Sequence, residues 1–166
     1  AGAAMTLEYA YQDWCLAHLA RLTGHKDDEA LFLKRALNYR NVFDPATKWM
    51  RPRHEDGSWL EPFSPVTTGP SAPGFVEANS AIYTFYVPHD LPGLIGLMGG
   101  SQAFVNRLDE SFQRAAPQRF VTPHGKHGNG WIDYENQPSC HLAHLFSHAG
   151  TPWLTQYWVR RVKLET

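Results

Sequence analysis

The stretch "GFVEANSAIYTFYVPHD" places one carboxylate, Glu77, among Phe75, Val76, Ala81, Ile82, Tyr83, Phe85 and Tyr86. A carboxylic acid can donate protons near neutral pH when apolar surroundings keep it protonated. Turned to solvent from a loop, the same residue is an ordinary surface glutamate. The local composition permits either state. A second group of titratable residues is "HLAHLFSH", where His141, His144 and His148 fall at i, i+3 and i+7, with His124 and His127 upstream. On one helical face, three imidazoles suit zinc. Without a His-Glu-x-x-His pattern or a cysteine pair, pocket-lining or hydrogen-bonded core histidines are the plainer reading.

Two further stretches concentrate polar groups. "WIDYENQPS" sets Asp133, Glu135, Asn136 and Gln137 just ahead of an expected helix N-terminus. Amide side chains and free backbone N–H groups there suit a hydroxyl-bearing or anionic ligand; capping of the helix accounts for them equally well. "RPRHEDGSW" gathers Arg51, Arg53, His54, Glu55 and Asp56 beside Trp59. It reads either as part of a site or as a solvated charged loop.

Helical hairpins and long loops are the elements that must position these residues. Thr6 is the expected N-cap of a helix running to Gly24, with Leu7, Ala10, Tyr11, Trp14, Ala17 and Leu19 on its apolar face. A second helix is expected from Asp27 to Phe43, its acidic first turn favoured by the macrodipole and its band formed by Phe32, Leu33, Ala36, Leu37 and Tyr39. "DPATK" then makes a turn. Residues 51–74 hold too many prolines and glycines for regular structure. A second pair, "DLPGLIGLM" and "SQAFVNRLDESFQ", joins through Gly99-Gly100 with Ser101 as cap. A third pair is "QPSCHLAHLFSHAG" and "TPWLTQYWVRRVKLET". There Pro138 and Pro152 fit first turns, and Gly150 fits a C-cap. The expected fold class is all-α: a stack or toroid of hairpins whose long loops build the site.

Composition narrows the partners. Fifteen basic against sixteen acidic residues, with no basic patch, argue against a nucleic-acid surface. No apolar run is long enough to span a membrane. Six Trp, seven Tyr and nine Phe are many for 166 residues; aromatics serve cores first, and a surplus also suits carbohydrate, whose flat faces stack on rings. Cys15 and Cys140 allow one bridge at most; two buried free thiols are the plainer expectation. The chain reads as a segment of a longer protein.

Four stretches in order resemble glycoside hydrolase family 92, the calcium-dependent exo-acting α-mannosidases. They are "TLEYAYQDWCLAHLA", "FLKRALNYRNVFDPATKWMRPRHEDGSW", "FVEANSAIYTFYVPHDLPGLIGLMGG" and "ENQPSCHLAHLFSHAGTPWLTQYWVR". The resemblance implies part of an α/α-toroid catalytic domain, with the family's N-terminal β-sandwich and C-terminal base-bearing part absent from this chain. It implies inverting hydrolysis of a terminal α-linked mannose from glycans. Glu77 occupies the position of the family's general acid. Asn79, Tyr83, His89, Asn136, Gln137 and His141 would line the pocket, while Arg51 and Arg53 hold nearby loops. The general base lies outside the chain. Calcium is the implied cofactor, with Asn136 and Gln137 as the nearest candidate ligands. The implied partners are an α-mannoside substrate and the remainder of the same domain, in a secreted or periplasmic setting. The chain departs from the family pattern at Ala81-Ile82, where Trp-Gln is usual, and at Glu135, Gln137 and Cys140 in the last motif. Loss of a ring and a polar group beside the acid, and of a carboxylate at Gln137, bears on linkage and leaving-group preference. The alternative is a non-catalytic glycan-binding or scaffold segment with a decayed site.

Overall fold

The structure, a computed structural model, describes residues 2–67, 74–122 and 130–166. Parts of two expected loops, residues 68–73 and 123–129 with His124 and His127, fall outside the described residues. Helix dominates the rest, in three successive pairs: α1 (Ala3–Thr23) with α2 (Lys26–Arg35), α4 (Leu91–Met98) with α5 (Ser101–Ala115), and α6 (Leu145–His148) with α7 (Pro152–Glu165). A single turn, α3 (Ser80–Tyr83), stands between the first pair and the second.

Helix α1 begins earlier than its cap chemistry predicts. Gly2, not Thr6, is the N-cap, and Thr6 instead donates its hydroxyl back to the Gly2 carbonyl. The cause is tertiary. Ala3 and Ala4 are small enough to be buried, and the Ala4 N–H, free at a helix start, donates to the Gly74 carbonyl at 2.9 Å. Gly24 ends the helix in the left-handed region, as expected. Buried Asp13 accepts from Arg35 at 3.0 Å and ties α1 to α2.

Helix α2 is shorter than expected. From Ala36 to Val42 the chain tightens into 3-10 turns. This tighter winding accompanies full burial of Tyr39, whose hydroxyl donates to Asp90 at 2.7 Å. The expected apolar band is therefore split. Ala36 and Tyr39 are buried, Leu33 and Leu37 are exposed, and nothing within α2 itself is buried. The "DPATK" turn closes a minimal hairpin, β1 (Phe43–Asp44) antiparallel to β2 (Trp49–Met50), with Phe43 opposite Met50.

Asp90 caps α4 by accepting from the Gly93 N–H at 3.0 Å. A side chain at residue 93 would collide with that carboxylate and come within 2.5 Å of the Tyr39 hydroxyl, so this corner needs glycine. Gly99 ends α4 with φ 101°, and Gly100 rather than Ser101 caps α5. The segment from Gln137 to Gly150, expected as one helix, is two 3-10 turns (Gln137–Ser139 and Leu142–His144) followed by the one-turn α6. Pro152 opens α7 as expected.

Phe112 centres the core beneath the last two pairs, packed on Trp158 (5.0 Å between ring centres), Phe146 (5.7 Å) and Phe120 (6.1 Å). The indole N–H of Trp158 finds Asp109 at 2.7 Å, so this large ring is buried without an unmet donor. Cys15 and Cys140 are free thiols but exposed, correcting the expectation of burial. Among the described residues, no helix is long and apolar enough to cross a membrane.

Candidate active site

Glu77 lies on the short segment between Gly74 and α3. Gly74 has φ 100°, and a β-carbon there would meet Pro52 at 2.6 Å and crowd Ala3. The segment thus starts pressed against the beginning of α1. Glu77 itself is left-handed, with φ 55°, and its side chain is exposed. Glutamate rarely adopts this backbone state, and the surroundings must hold it there. Asn136 does so by donating from its amide to the Glu77 carbonyl. Two residues on, Asn79 is fully buried. Its side-chain oxygen caps α3 by accepting from Ile82, and its amide donates to the Gly130 carbonyl at 2.7 Å. Two asparagines therefore stitch the acid's segment to the loop from Gly130 to Asn136.

Both sides of this seam are anchored. Ser80 donates to the Met50 carbonyl at 2.6 Å, and Thr84 accepts from the Met50 N–H at 2.9 Å, fastening α3 to β2. Buried Asp133 organises the opposite loop, accepting from the Thr122 hydroxyl at 2.9 Å and the Glu135 N–H at 3.1 Å. Asp133 thus has an internal, loop-shaping position, while Glu135 and Gln137 are exposed.

The wall beside Glu77 is aromatic. Tyr83 is buried and packs on Phe75 (5.8 Å) and, edge to face, on Tyr86 (6.0 Å). Burial, and after it the charges of Glu8 and Glu77, push the Tyr83 hydroxyl above its ordinary pKa. Tyr86 meets His141 edge-on at 5.9 Å. The His141 Nε2 lies 3.2 Å from the Phe85 carbonyl, and burial lowers the pKa of the ring. His89 faces elsewhere. Its Nε2 sits 2.8 Å from the Ala36 carbonyl, and its ring is flanked by Tyr11 and Tyr39. Of the residues singled out from sequence, the structure gathers Glu77, Asn79, Tyr83 and Asn136. It brings His141 to the same wall through Tyr86 and sets His89 against Tyr11 of α1 and the 3-10 segment after α2. Tyr86 was missed, although its spacing three residues after Tyr83 was the available signal.

Arg51 and Arg53 hold loops. Arg51 is buried, donates to Asp44 at 2.8 Å and to Glu61 at 2.7 Å, and lies over the Phe63 ring. Arg53 donates to the Gly57 and Asn41 carbonyls and lies over Trp59. The three histidines do not form a zinc site. Their segment is not one helix, His144 and His148 are exposed, and no group of three His, Cys, Asp or Glu suited to a metal ion occurs among the described residues. Calcium takes about six to eight oxygen ligands. The amide oxygens of Asn136 and Gln137 have the right chemistry for such a ligand. Ala81 and Ile82 are fully enclosed, so they shape the core under α3 rather than an open surface near the acid.

The geometry is an exposed Glu77 carboxyl on a backbone clamped by Asn136, with buried Tyr83 and half-buried Tyr86 in the stretch that follows. Residues 1–165 match the glycosyl hydrolase family 92 catalytic domain. A family GH92 α-mannosidase from Bacteroides thetaiotaomicron superposes with TM-score 0.78 and 39% identity, covering 96% of this chain and 20% of that one. The same enzyme in complex with mannoimidazole gives TM-score 0.81 and 35% identity, over 96% of this chain and 22% of that one. An inverting mannosidase of the family from the same organism gives 0.81 and 33%, with 96% and 22% covered. An uncharacterized secreted glycosidase of Arthroderma benhamiae is 25% identical over 172 residues, 90% of this chain and 20% of that protein. The fold is that of part of a glycosyl hydrolase family 92 catalytic domain. The chain belongs to glycoside hydrolase family 92 and spans about a fifth of the length of these relatives.

Proposed function

We propose that this chain is the acid-bearing part of an exo-acting α-mannosidase that releases terminal α-linked mannose with inversion. The observation that carries the reading is Glu77. Its backbone is held left-handed by Asn136 from a facing loop, while its carboxyl stays open beside Tyr83. In this reading Glu77 gives its proton to the glycosidic oxygen as the bond to the anomeric carbon breaks. A second carboxylate activates water on the opposite face of the ring, about 6.5–9.5 Å from the first. That base comes from the remainder of the catalytic domain, whose helical hairpins would complete an α/α toroid. Calcium, when bound, orients sugar hydroxyls; Asn136 and Gln137 are candidate ligands, with the rest of its shell supplied from outside the chain. The match to a secreted glycosidase supports an extracellular or periplasmic setting. The alternative of a decayed, glycan-binding site rests on motif departures, and the enclosure of Ala81 and Ile82 takes two of these away from the open side.

The test is Glu77→Gln in the full-length protein. Hydrolysis of an α-mannoside with a poor leaving group is expected to fall by about 10²–10⁴-fold, and that of an activated aryl mannoside by much less. Binding of mannoimidazole should persist. An unchanged rate on the poor leaving group would remove Glu77 as the acid.

A further inference from the structure

Glu8 stands in the first motif, on α1, and plays no part in the proton transfer above. It is half-buried, and one carboxylate oxygen accepts from the Tyr86 hydroxyl at 3.2 Å. Asp13, Asp44 and Asp90 pair with Arg35, Arg51 and Arg40, while Asp109 accepts from the Trp158 indole and Asp133 from the Thr122 hydroxyl. Glu8 has no cationic partner among the described residues, and its second oxygen accepts no hydrogen bond from them. A partly desolvated carboxylate in that state is costly unless something else satisfies it.

Its position is tied to the acid. The first turn of α1 is fastened at Gly74, three residues before Glu77, through the Ala4 N–H. Glu8 holds the Tyr86 hydroxyl, and the Tyr86 ring packs edge-on against Tyr83; burial first, and then the charges of Glu8 and Glu77, raise the pKa of the Tyr83 hydroxyl. Tyr83, Tyr86 and His141 form a continuous edge-to-face wall between α3 and the 3-10 turns. A carboxylate with a free oxygen next to aromatic rings is the pairing that grips a pyranose, hydroxyls to the carboxylate and ring face to the aromatics.

We propose that Glu8 is a specificity-determining residue that accepts hydrogen bonds from hydroxyls of the sugar bound beside Glu77, with Tyr86 holding its carboxylate in place. The inference rests on the glycosidase reading of Glu77. A structural glutamate would do none of the discriminating that follows.

The experiment uses the full-length protein, monodeoxy α-mannosides and mannoimidazole. Glu8→Gln should raise KM and the mannoimidazole Kd by about ten- to a hundredfold, the scale of a lost charged hydrogen bond. It should do so alike for activated and poor leaving groups, with Tm unchanged. The wild type should penalise removal of one particular hydroxyl, and Glu8→Gln should not. Tyr86→Phe, a milder change, should keep that penalty while weakening binding about threefold. If Glu8→Gln and the wild type rank the deoxy sugars identically, Glu8 is not a sugar contact, whatever its effect on Tm. If Glu77→Gln leaves rates intact but Glu8→Gln loses the hydroxyl penalty, the acid assignment falls and this inference stands. A wild type that neither cleaves α-mannosides nor binds mannoimidazole overturns both.

Discussion

Two irregular segments of this chain use charge in opposite ways. In the loop from Arg51 to Phe63, each arginine is consumed internally. Arg51 bridges buried Asp44 and exposed Glu61, donates to the Leu60 carbonyl and lies 4.4 Å above Phe63, while Arg53 closes the turn at Gly57. The segment from Gly74 to Asn79 is held instead by neutral amides, Asn136 on the Glu77 carbonyl and Asn79 on Gly130. Its one carboxylate is left open. In sequence the first read either as part of a site or as a solvated charged loop, and the second carried the position of the family's general acid. Arg51 is thus withdrawn and ion-paired, whereas the Glu77 carboxyl is exposed and only its backbone is held.

The largest effects should separate the two segments. Arg51→Ala strands buried Asp44 without its cation and should cost about 3–5 kcal/mol of stability, read by chemical denaturation. Glu77→Gln should leave the denaturation midpoint unchanged while lowering turnover as described above. Equal stability losses in the two variants would erase the contrast. Asn136→Ala sharpens it. Freeing the Glu77 carbonyl should cost only about 1 kcal/mol, yet lower kcat by more than tenfold as the acid loses its fixed direction.

Smaller effects should follow pH. Burial depresses the pKa of His141 and of His89, the latter despite the Ala36 carbonyl that favours its charged form. The unfolded chain then binds protons first. Stability should be flat above the ordinary value of 6.5 and decline as pH falls from there through the lower folded pKa values. A melting series across this range checks it, and His141→Gln should flatten part of the decline. Asp44 and Asp90 act lower down. Burial opposes their ionisation, but Arg51 for the first, and Tyr39 with Arg40 for the second, hold both below the ordinary 3.8. Their stabilisation is present above 3.8 and is lost as pH falls through the folded values. The smallest effect is a gain. Glu77→Asn, better suited to φ 55°, should raise stability by about 0.5–1 kcal/mol while removing the acid, as expected of a residue kept against local preference.

Much of the helical frame was legible because its signals are local. Gly24 and Gly99 stop helices, and Pro152 starts one, through backbone freedom or rigidity that needs no distant partner. Two of the largest departures involve distant partners. Thr6 is not the cap because Gly74 supplies an acceptor to α1, and α2 ends early where Tyr39 turns to Asp90, fifty-one residues away. The chain after Gln137 breaks into short turns where Tyr134 and Ser139 take up backbone N–H groups of Ala143 and Asp133.

By itself the sequence determined the succession of hairpins, the aromatic richness and the identity of the one carboxylate in apolar company. Only the tertiary structure decided that Glu77 would be left-handed and exposed, that Ala81 and Ile82 would face the core, and that Glu8 would meet Tyr86. Propensity and spacing act over a few residues along the chain. The clasp of Asn136 on Glu77 joins groups fifty-nine residues apart, and it is specified only when two loops are brought together by everything packed beneath them.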